Sequence, residues 1–161
     1  ALSEVEKMKG MSSIVKTIAN ISFPIITIYG LYIIAHGHLT PGGGFQGGAI
    51  VASGLALLAV AHGTEWVESK VKEHDLSVLE SIGALGFIGL AFLGLVMGGA
   101  FFSNFLVDTS MLFGTIPVDG AANINTGGTL PLMNFAVGLK VIAGLFAIIL
   151  VMAIATNKEE N

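Results

Sequence analysis

HGHLTPGGGFQGG, residues 36–48, separates the first two long apolar segments of the chain and therefore lies at or near a membrane surface. Six of these thirteen residues are glycine. Because glycine has no Cβ, the segment can adopt positive φ angles and can let another backbone approach closely. One interpretation starts a helix here, with Thr40 as N-cap and Pro41 as first residue, so that the next three glycines form the first turn. The alternative is an irregular loop that precedes the helix.

The composition of the chain predicts an integral membrane protein. Of its 161 residues, 53% are hydrophobic and 11% are charged, and the mean hydropathy is +0.84. Soluble domains carry about 25% charged residues. The net charge of −4 is too small to indicate a nucleic-acid partner, and the absence of cysteine excludes disulfides and thiolate metal sites within this sequence.

Four apolar segments are each long enough for a membrane-spanning helix, which needs roughly 20 residues. They predict an all-α protein that forms a single membrane domain over residues 1–161. The predicted spans are residues 13–35, 45–61, 78–99 and 132–155, with the second beginning at Pro41 if the glycines are helical. The longest connection is residues 101–130, which contains Asp108 and Asp119.

Two local patterns describe the third span. Ser77 and Glu80 fit a capping box, in which Ser77 bonds the amide three residues ahead and Glu80 reaches back to the cap. This interpretation places Glu80 at the boundary of the span. Near the other end, Gly94 and Gly98 form a GxxxG pair, which is typical of close helix packing in membranes.

The lysine distribution predicts the orientation of the chain. Lysines precede the first span and follow the second and the fourth, whereas residues 36–48 and 101–130 contain none. Cytoplasmic loops carry an excess of basic residues. Both termini and the connection around Trp66 are therefore expected in the cytoplasm. The lysines concerned are Lys7, Lys9, Lys16, Lys70, Lys72 and Lys158.

Lys140 is the main candidate for an ion-path residue. It lies eight residues past Leu132, roughly 12 Å along the fourth span. An ionisable group at that depth is costly and indicates a function, either as a proton carrier or as an electrostatic barrier on a cation path. Alternatively, it pairs with a carboxylate of a partner subunit or extends to the surface. Because Glu80 is expected at the opposite membrane face, the partner of Lys140 would be another subunit or water.

The histidines beside the glycines are a second candidate. His36 and His38 have no third ligand nearby in the sequence, so no metal site is predicted. His38 is a candidate for proton entry because histidine titrates near neutral pH; alternatively, it orients the glycine turn. Asp108 and Asp119 are interpreted as solvated loop carboxylates rather than as a cation-attracting mouth. The sequence shows no catalytic triad, zinc motif, Walker loop or dinucleotide fingerprint, so no enzyme is predicted.

The glycine-rich segment also carries a family resemblance. Residues 37–48 resemble the signature Gly-His-x-x-Pro-Gly-Gly-Gly-Phe-x-Gly-Gly of the MnhB/MrpB family, which are small subunits of Mrp-type multisubunit sodium/proton antiporters. Residues 131–144, including Lys140, resemble the last helix of that family. The likeness extends over residues 14–155. The signature falls on His38, Pro41, Gly42, Gly43, Gly44, Phe45, Gly47 and Gly48.

This resemblance implies a small, non-catalytic, multi-pass subunit of the cell membrane, with no cofactor of its own. The implied partners are large complex I-like antiporter subunits and other small Mrp-type membrane subunits, as well as lipid. Such modules also occur in archaeal respiratory complexes that contain hydrogenase-like iron–sulfur subunits and couple hydrogen evolution or reduction of sulfur compounds to sodium export. Gln46 and the short tails favour that setting over a free-standing antiporter.

Within such an assembly, Lys140 would influence the ion path electrostatically and the glycine turn would pack against a neighbouring subunit. The remaining alternatives are a purely structural membrane scaffold and a homo-oligomeric channel. The four spans contain few polar groups with which to line a pore alone, so the channel is the weakest of these interpretations.

Overall fold

The computed structural model describes residues 10–107 and 127–159, which form five α-helices. Four of them are long and apolar enough to cross a membrane, which confirms the predicted all-helical class for the described residues. Residues 1–9 and the predicted loop carboxylates Asp108 and Asp119 lie outside the described ranges. The helices are α1 (Ser13–His36), α2 (Gly44–His62), α3 (Thr64–Lys70), α4 (Glu73–Gly98) and α5 (Leu130–Glu159).

The second spanning helix begins at Gly44, so the glycine-rich segment takes the irregular-loop form rather than a helix starting at Pro41. Gly42 and Gly43 have φ angles of 144° and 139°, a region that residues with a Cβ rarely adopt. The hydroxyl of Thr40 donates to the carbonyl of His36 at 3.3 Å. Thr40 therefore closes the end of α1 instead of capping α2.

The capping box predicted at Ser77 and Glu80 is wrong, because α4 begins at Glu73. The Ser77 hydroxyl donates backward to the carbonyl of Glu73 at 3.3 Å, so Ser77 lies inside the helix. Glu73 and Asp75 occupy the first turn, where carboxylates stabilise the positive end of the helix dipole. Glu80 is consequently seven residues into α4 rather than at its start.

The four long helices are arranged in the spatial order α1, α2, α5, α4, with α5 packed between α2 and α4. The side chain of Ile34 on α1 is buried where three helices meet. A Cβ added to Gly47 of α2 would lie 2.5 Å from Ile34 Cγ1, and one added to Gly138 of α5 would lie 2.7 Å from Ile34 Cδ1. Two glycines therefore make the space that this isoleucine fills.

The short helix α3 closes the end of the bundle opposite the glycine turn, which is the connection between α1 and α2 (residues 37–43). Its Val67 is buried together with Leu76 of α4 and with Phe146 and Leu150 of α5. At the same end, the amide of Met11 donates to the carbonyl of Ala61 at 2.9 Å. The start of α1 and the later part of α5 thus lie at one end of the bundle.

The Gly94–Gly98 pair packs against the chain that follows α4, not against another helix. A Cβ on Gly94 would lie 2.8 Å from the amide nitrogen of Ser103, and one on Gly98 would lie 2.5 Å from Ser103 Cβ. The next residue, Asn104, accepts from the amide and hydroxyl of Thr129 at 2.7 and 2.8 Å. These contacts hold both ends of the long connection at the head of α5.

Candidate functional site: a glycine turn and an intramembrane ion pair

The glycine turn is packed tightly against α5. A Cβ on Gly44 would lie 2.7 Å from Val137 Cβ and would also collide with the carbonyl oxygen of Asn134. A Cβ on Gly43 would lie 3.2 Å from the side-chain oxygen of Asn134, and one on Gly37 would collide with Gly43 Cα. The turn therefore leaves no room for larger residues at these positions.

The next two motif glycines face different helices. A Cβ on Gly47 would lie 2.6 Å from the carbonyl oxygen of Gly30 on α1, and one on Gly48 would lie 2.9 Å from the carbonyl oxygen of Gly138 on α5. Because glycine has no side chain, α2 approaches both neighbours at backbone distance. Gly43, Gly44, Gly47 and Gly48 are all buried and pack within this chain.

Three other members of the motif lie on the surface of the chain. Pro41 and Gly42 are exposed, and the Phe45 side chain is 62% exposed. These three residues, unlike the buried glycines, present a surface that lipid or another subunit can contact. The glycine motif thus combines an internal packing role with an outward face.

His36 and the motif residue His38 lie at this same end of the bundle. His38 is partly buried beside the head of α5, and a Cβ on Gly127 would lie 2.8 Å from its ring. His36 stacks on Tyr32, with ring centroids 5.1 Å apart. Lys140 lies ten residues past Leu130, about 15 Å along α5, so the structure does not bring His38 to Lys140.

Lys140 has an acidic neighbour in its own chain. Its Nζ lies 4.0 Å from Oε1 of Glu80, and the two side chains are 48% and 44% exposed. The expectation that Glu80 lies at the opposite face and that Lys140 has only an external partner is wrong. The reason is the early start of α4, which moves Glu80 about 10 Å into the helix and level with Lys140 on the antiparallel α5.

Gly83 lets α4 approach α5 closely beside this pair, whereas the position of Gly144 would accept a Cβ at ordinary contact distance. A Cβ on Gly83 would lie 2.7 Å from both the carbonyl oxygen of Ala136 and the amide nitrogen of Lys140. One turn further along α5, a Cβ on Gly144 would lie 3.5 Å from the carboxyl carbon of Glu80. The backbones of α4 and α5 therefore nearly touch where the ion pair forms.

A shallow groove of ≈ 190 Å³ runs beside the pair on the surface between α4 and α5. Its wall is apolar except for the lysine. It is lined by Gly83, Ala84, Phe87, Ile88, Val137 and Lys140. An ionisable group at the edge of an apolar groove inside a spanning region is an arrangement that carries a functional hypothesis.

Sequence reasoning misses two polar side chains of this region. It assigns Glu80 to a helix cap. Glu80 nevertheless lies seven positions beyond Glu73, the first acidic residue of α4, and this distance is itself a signal of a carboxylate within the span. Asn134 lies four residues into α5 and against the glycine turn. Its spacing of six residues from Lys140 gives no pattern that would single it out.

Comparison with known proteins identifies the class of this chain. A family model described as a domain related to the MnhB subunit of Na+/H+ antiporter matches residues 14–147. The chain therefore belongs to this MnhB-related family, as its glycine signature predicts.

Two relatives and one solved structure illustrate the family. The chain is 35% identical over 144 residues to an uncharacterized protein of Methanocaldococcus jannaschii, covering 86% of this chain and 52% of that protein. It is 30% identical over 119 residues to the antiporter subunit mnhB2 of Staphylococcus aureus strain MRSA252, covering 74% of this chain and 80% of that protein.

The structural match is to a chain of the membrane-bound sulfane sulfur reductase, an archaeal respiratory membrane complex. The TM-score is 0.70 and the sequence identity is 30%, over 92% of this chain and 62% of that chain. This chain thus spans about half the length of its Methanocaldococcus relative and less than two thirds of the matched chain of the complex.

Proposed function

We propose that this chain is a small, non-catalytic membrane subunit of a sodium/proton antiport module within an archaeal ion-pumping respiratory complex of the hydrogenase or sulfur-compound reductase type. It contributes to ion translocation and to assembly. The observation that carries the proposal is the Lys140–Glu80 pair on two spanning helices. The likeness to a chain of an archaeal respiratory complex supports that setting, and the likeness to mnhB2 supports a free-standing antiporter as the alternative.

The proposed role of the pair is electrostatic. In a low-dielectric interior a fixed ammonium repels a passing cation over several ångströms, and a carboxylate beside it offsets that repulsion. The 4.0 Å separation of Lys140 and Glu80 leaves the two charges close but not in tight contact. A small change in their distance therefore changes the field that a neighbouring ion path experiences.

Substitution of Lys140 tests this proposal. We expect Lys140→Ala to leave the native complex assembled and to reduce sodium-dependent transport in membrane vesicles, because the fixed positive charge is lost. Lys72→Ala is the matched control, since Lys72 is exposed and precedes α4. Normal transport by the Lys140 variant would refute the ion-path role, and loss of the complex in that variant alone would favour the structural scaffold.

We also propose which subunits neighbour this chain in the complex. They are large complex I-like antiporter subunits and other small Mrp-type membrane subunits, with iron–sulfur subunits elsewhere in the complex. Purification of the native protein in a mild detergent, followed by mass spectrometry of the co-purifying chains, checks this directly. Antiporter-like subunits without iron–sulfur chains would favour the free-standing antiporter, and recovery of this chain alone would contradict both.

We also propose that both termini face the cytoplasm and that the protein resides in the cell membrane. Lys70 and Lys72 flank the short connection after α3, at the end of the bundle that also holds the start of α1. Since the sequence has no cysteine, a single cysteine at Pro41 or Ser69 can be labelled with a membrane-impermeant maleimide in intact cells. We expect labelling at position 41 only; labelling at position 69 instead would reverse the orientation.

A further inference from the structure

We propose that the surface of α4 and α5 around Glu80 and Lys140 is the docking site for a spanning helix of another subunit, and that this helix places a polar side chain against the ion pair. The inference rests on the proposed function, because it requires a multisubunit membrane complex. Beyond that function, it specifies the face of this chain that contacts the partner and the polar side chain that the partner places there.

The ion pair has unused hydrogen-bonding capacity. Charge-assisted hydrogen bonds between nitrogen and oxygen measure about 2.7–2.9 Å, whereas Lys140 Nζ and Glu80 Oε1 are 4.0 Å apart. Nearly half of each side chain is exposed on the surface of the chain. The ammonium has three hydrogens to donate and the carboxylate can accept several bonds. Both groups can therefore bond to a further polar group that approaches from outside.

Lipid tails cannot supply the polar group that would bond to the ion pair. Lys140 lies about 15 Å along α5 and Glu80 about 10 Å along α4, within the two spanning helices. Polar groups at such depth face a bundle interior or a water-filled cavity rather than lipid tails. This surface is therefore expected to be covered by protein.

The outward face of α1 provides the contrast. One stripe of its exposed side chains is large and apolar at helical spacing, which suits direct contact with lipid tails, although Thr17 and Asn20 of the same helix are exposed as well. The apolar side chains of this stripe include Ile14, Ile18, Ile21, Ile25 and Ile28. The chain thus has one face suited to lipid and another, around the ion pair, whose hydrogen-bonding groups lipid does not satisfy.

The shape of the groove favours a helix as occupant. Ala84 is the small residue that lines the groove on α4 beside Lys140, while Gly83 is buried against α5, and Phe87 and Ile88 line the groove further along α4. Small residues let a neighbouring helix approach closely in membranes, and interhelical hydrogen bonds from polar side chains then add to van der Waals packing. A helix carrying a hydroxyl, amide or carboxyl group opposite Lys140 satisfies both the shape and the charges.

Site-specific photo-crosslinking in the native complex tests the inference. A diazirine amino acid replaces Ile88 in the groove, and a matched probe replaces Ile25 on the outward face of α1; both side chains are exposed. We expect the Ile88 probe to crosslink to one spanning helix of another subunit, with a polar side chain about two turns from the crosslink, because Ile88 lies eight residues, about 12 Å, past Glu80 on α4. We expect the Ile25 probe to crosslink to lipid.

A second variant gives an independent measurement. Ile88→Trp adds bulk on the exposed side of the groove, so we expect roughly a fivefold or greater loss of recovered complex, as overpacking of an interface produces. Ile25→Trp should leave recovery unchanged. Equal recovery of the two variants would count against docking at this face.

The outcomes separate this inference from the function on which it rests. If the complex is recovered with its other subunits but the Ile88 probe labels lipid, a second copy of this chain or a wholly apolar helix, the docking inference alone fails. If the chain purifies without other subunits, the proposed function fails and the inference fails with it.

Discussion

Replacing Gly83 by alanine should force α4 away from α5 at the ion pair. The new methyl group would lie 2.7 Å from the carbonyl oxygen of Ala136 and from the amide nitrogen of Lys140, about 0.7 Å inside the 3.4 Å lower limit of ordinary contact. Both opposing atoms belong to the backbone, so no change of rotamer relieves the overlap. The two helices must therefore separate or tilt.

The cost of that separation follows from packing. Overpacking of a close-packed interface costs about 1–3 kcal/mol, and a gap of about 0.5–1 Å elsewhere along the seam loses a quarter to a half of the dispersion energy of the atoms involved. Gly89 on the same helix is the matched control, because a Cβ there would meet nothing within 4 Å.

Comparison of the two variants isolates the steric effect. Both substitutions gain the same intrinsic helix preference of alanine over glycine, about 1 kcal/mol. The difference between Gly83→Ala and Gly89→Ala is therefore the packing cost alone. We expect Gly83→Ala to have the lower free energy of unfolding by about 1–3 kcal/mol, a roughly five- to 150-fold shift in the folded population.

The assay is unfolding by sodium dodecyl sulfate in mixed micelles, followed by the fluorescence of Trp66, which is the only tryptophan of the chain. Trp66 is stacked on His62 with ring centroids 4.5 Å apart, so its emission should report loss of local structure. Equal unfolding midpoints for the Gly83 and Gly89 variants would refute the reasoning, since the close α4–α5 approach could not then be a source of stability.

Two further substitutions test other contacts. Gly43→Val should abolish recovery of the assembled complex, because the φ of 139° is strained for any residue with a Cβ and a Cβ here would lie 3.2 Å from Asn134. Gly99→Val is the control, since Gly99 has a φ of 72° but open space around it. Equal recovery of the two variants would show that the turn is not close-packed. Asn104→Ala should lower the unfolding midpoint, since the buried Thr129 loses the acceptor of two hydrogen bonds, at a cost of about 1–3 kcal/mol; an unchanged midpoint would contradict that assignment.

The features that sequence reasoning predicts correctly are those that depend on local pattern. Four spans follow from hydropathy and length alone. The glycine segment stands out by composition, but Thr40 and Pro41 fit both a helix start and a loop. Only tertiary contacts decide between these forms, because Gly43 and Gly44 are packed against α5 and Gly43 has a positive φ that no local preference dictates.

The ion pair shows the limit of the same reasoning. The spacing of Ser77 and Glu80 matches a capping box, yet residues 73–76 ahead of them extend α4 by a full turn. Whether Glu80 then meets Lys140 depends on the relative register of α4 and α5. That register is set by contacts such as Gly83 with the α5 backbone, which a single sequence does not encode as a recognisable pattern.

Packing and charge are coupled on α5, and this coupling decides which variants are informative. The amide of Lys140 packs against Gly83, while its ammonium faces Glu80. Any change that displaces α5 therefore also displaces the charge, so loss of transport in Gly83→Ala cannot by itself assign a role to the charge. Glu80→Gln removes the charge at nearly constant size and leaves the helix contacts in place. If both variants lose transport but only Gly83→Ala loses stability, the carboxylate charge acts on the ion path; if Glu80→Gln transports normally, that charge is not required, and Lys140→Ala alone tests the ammonium.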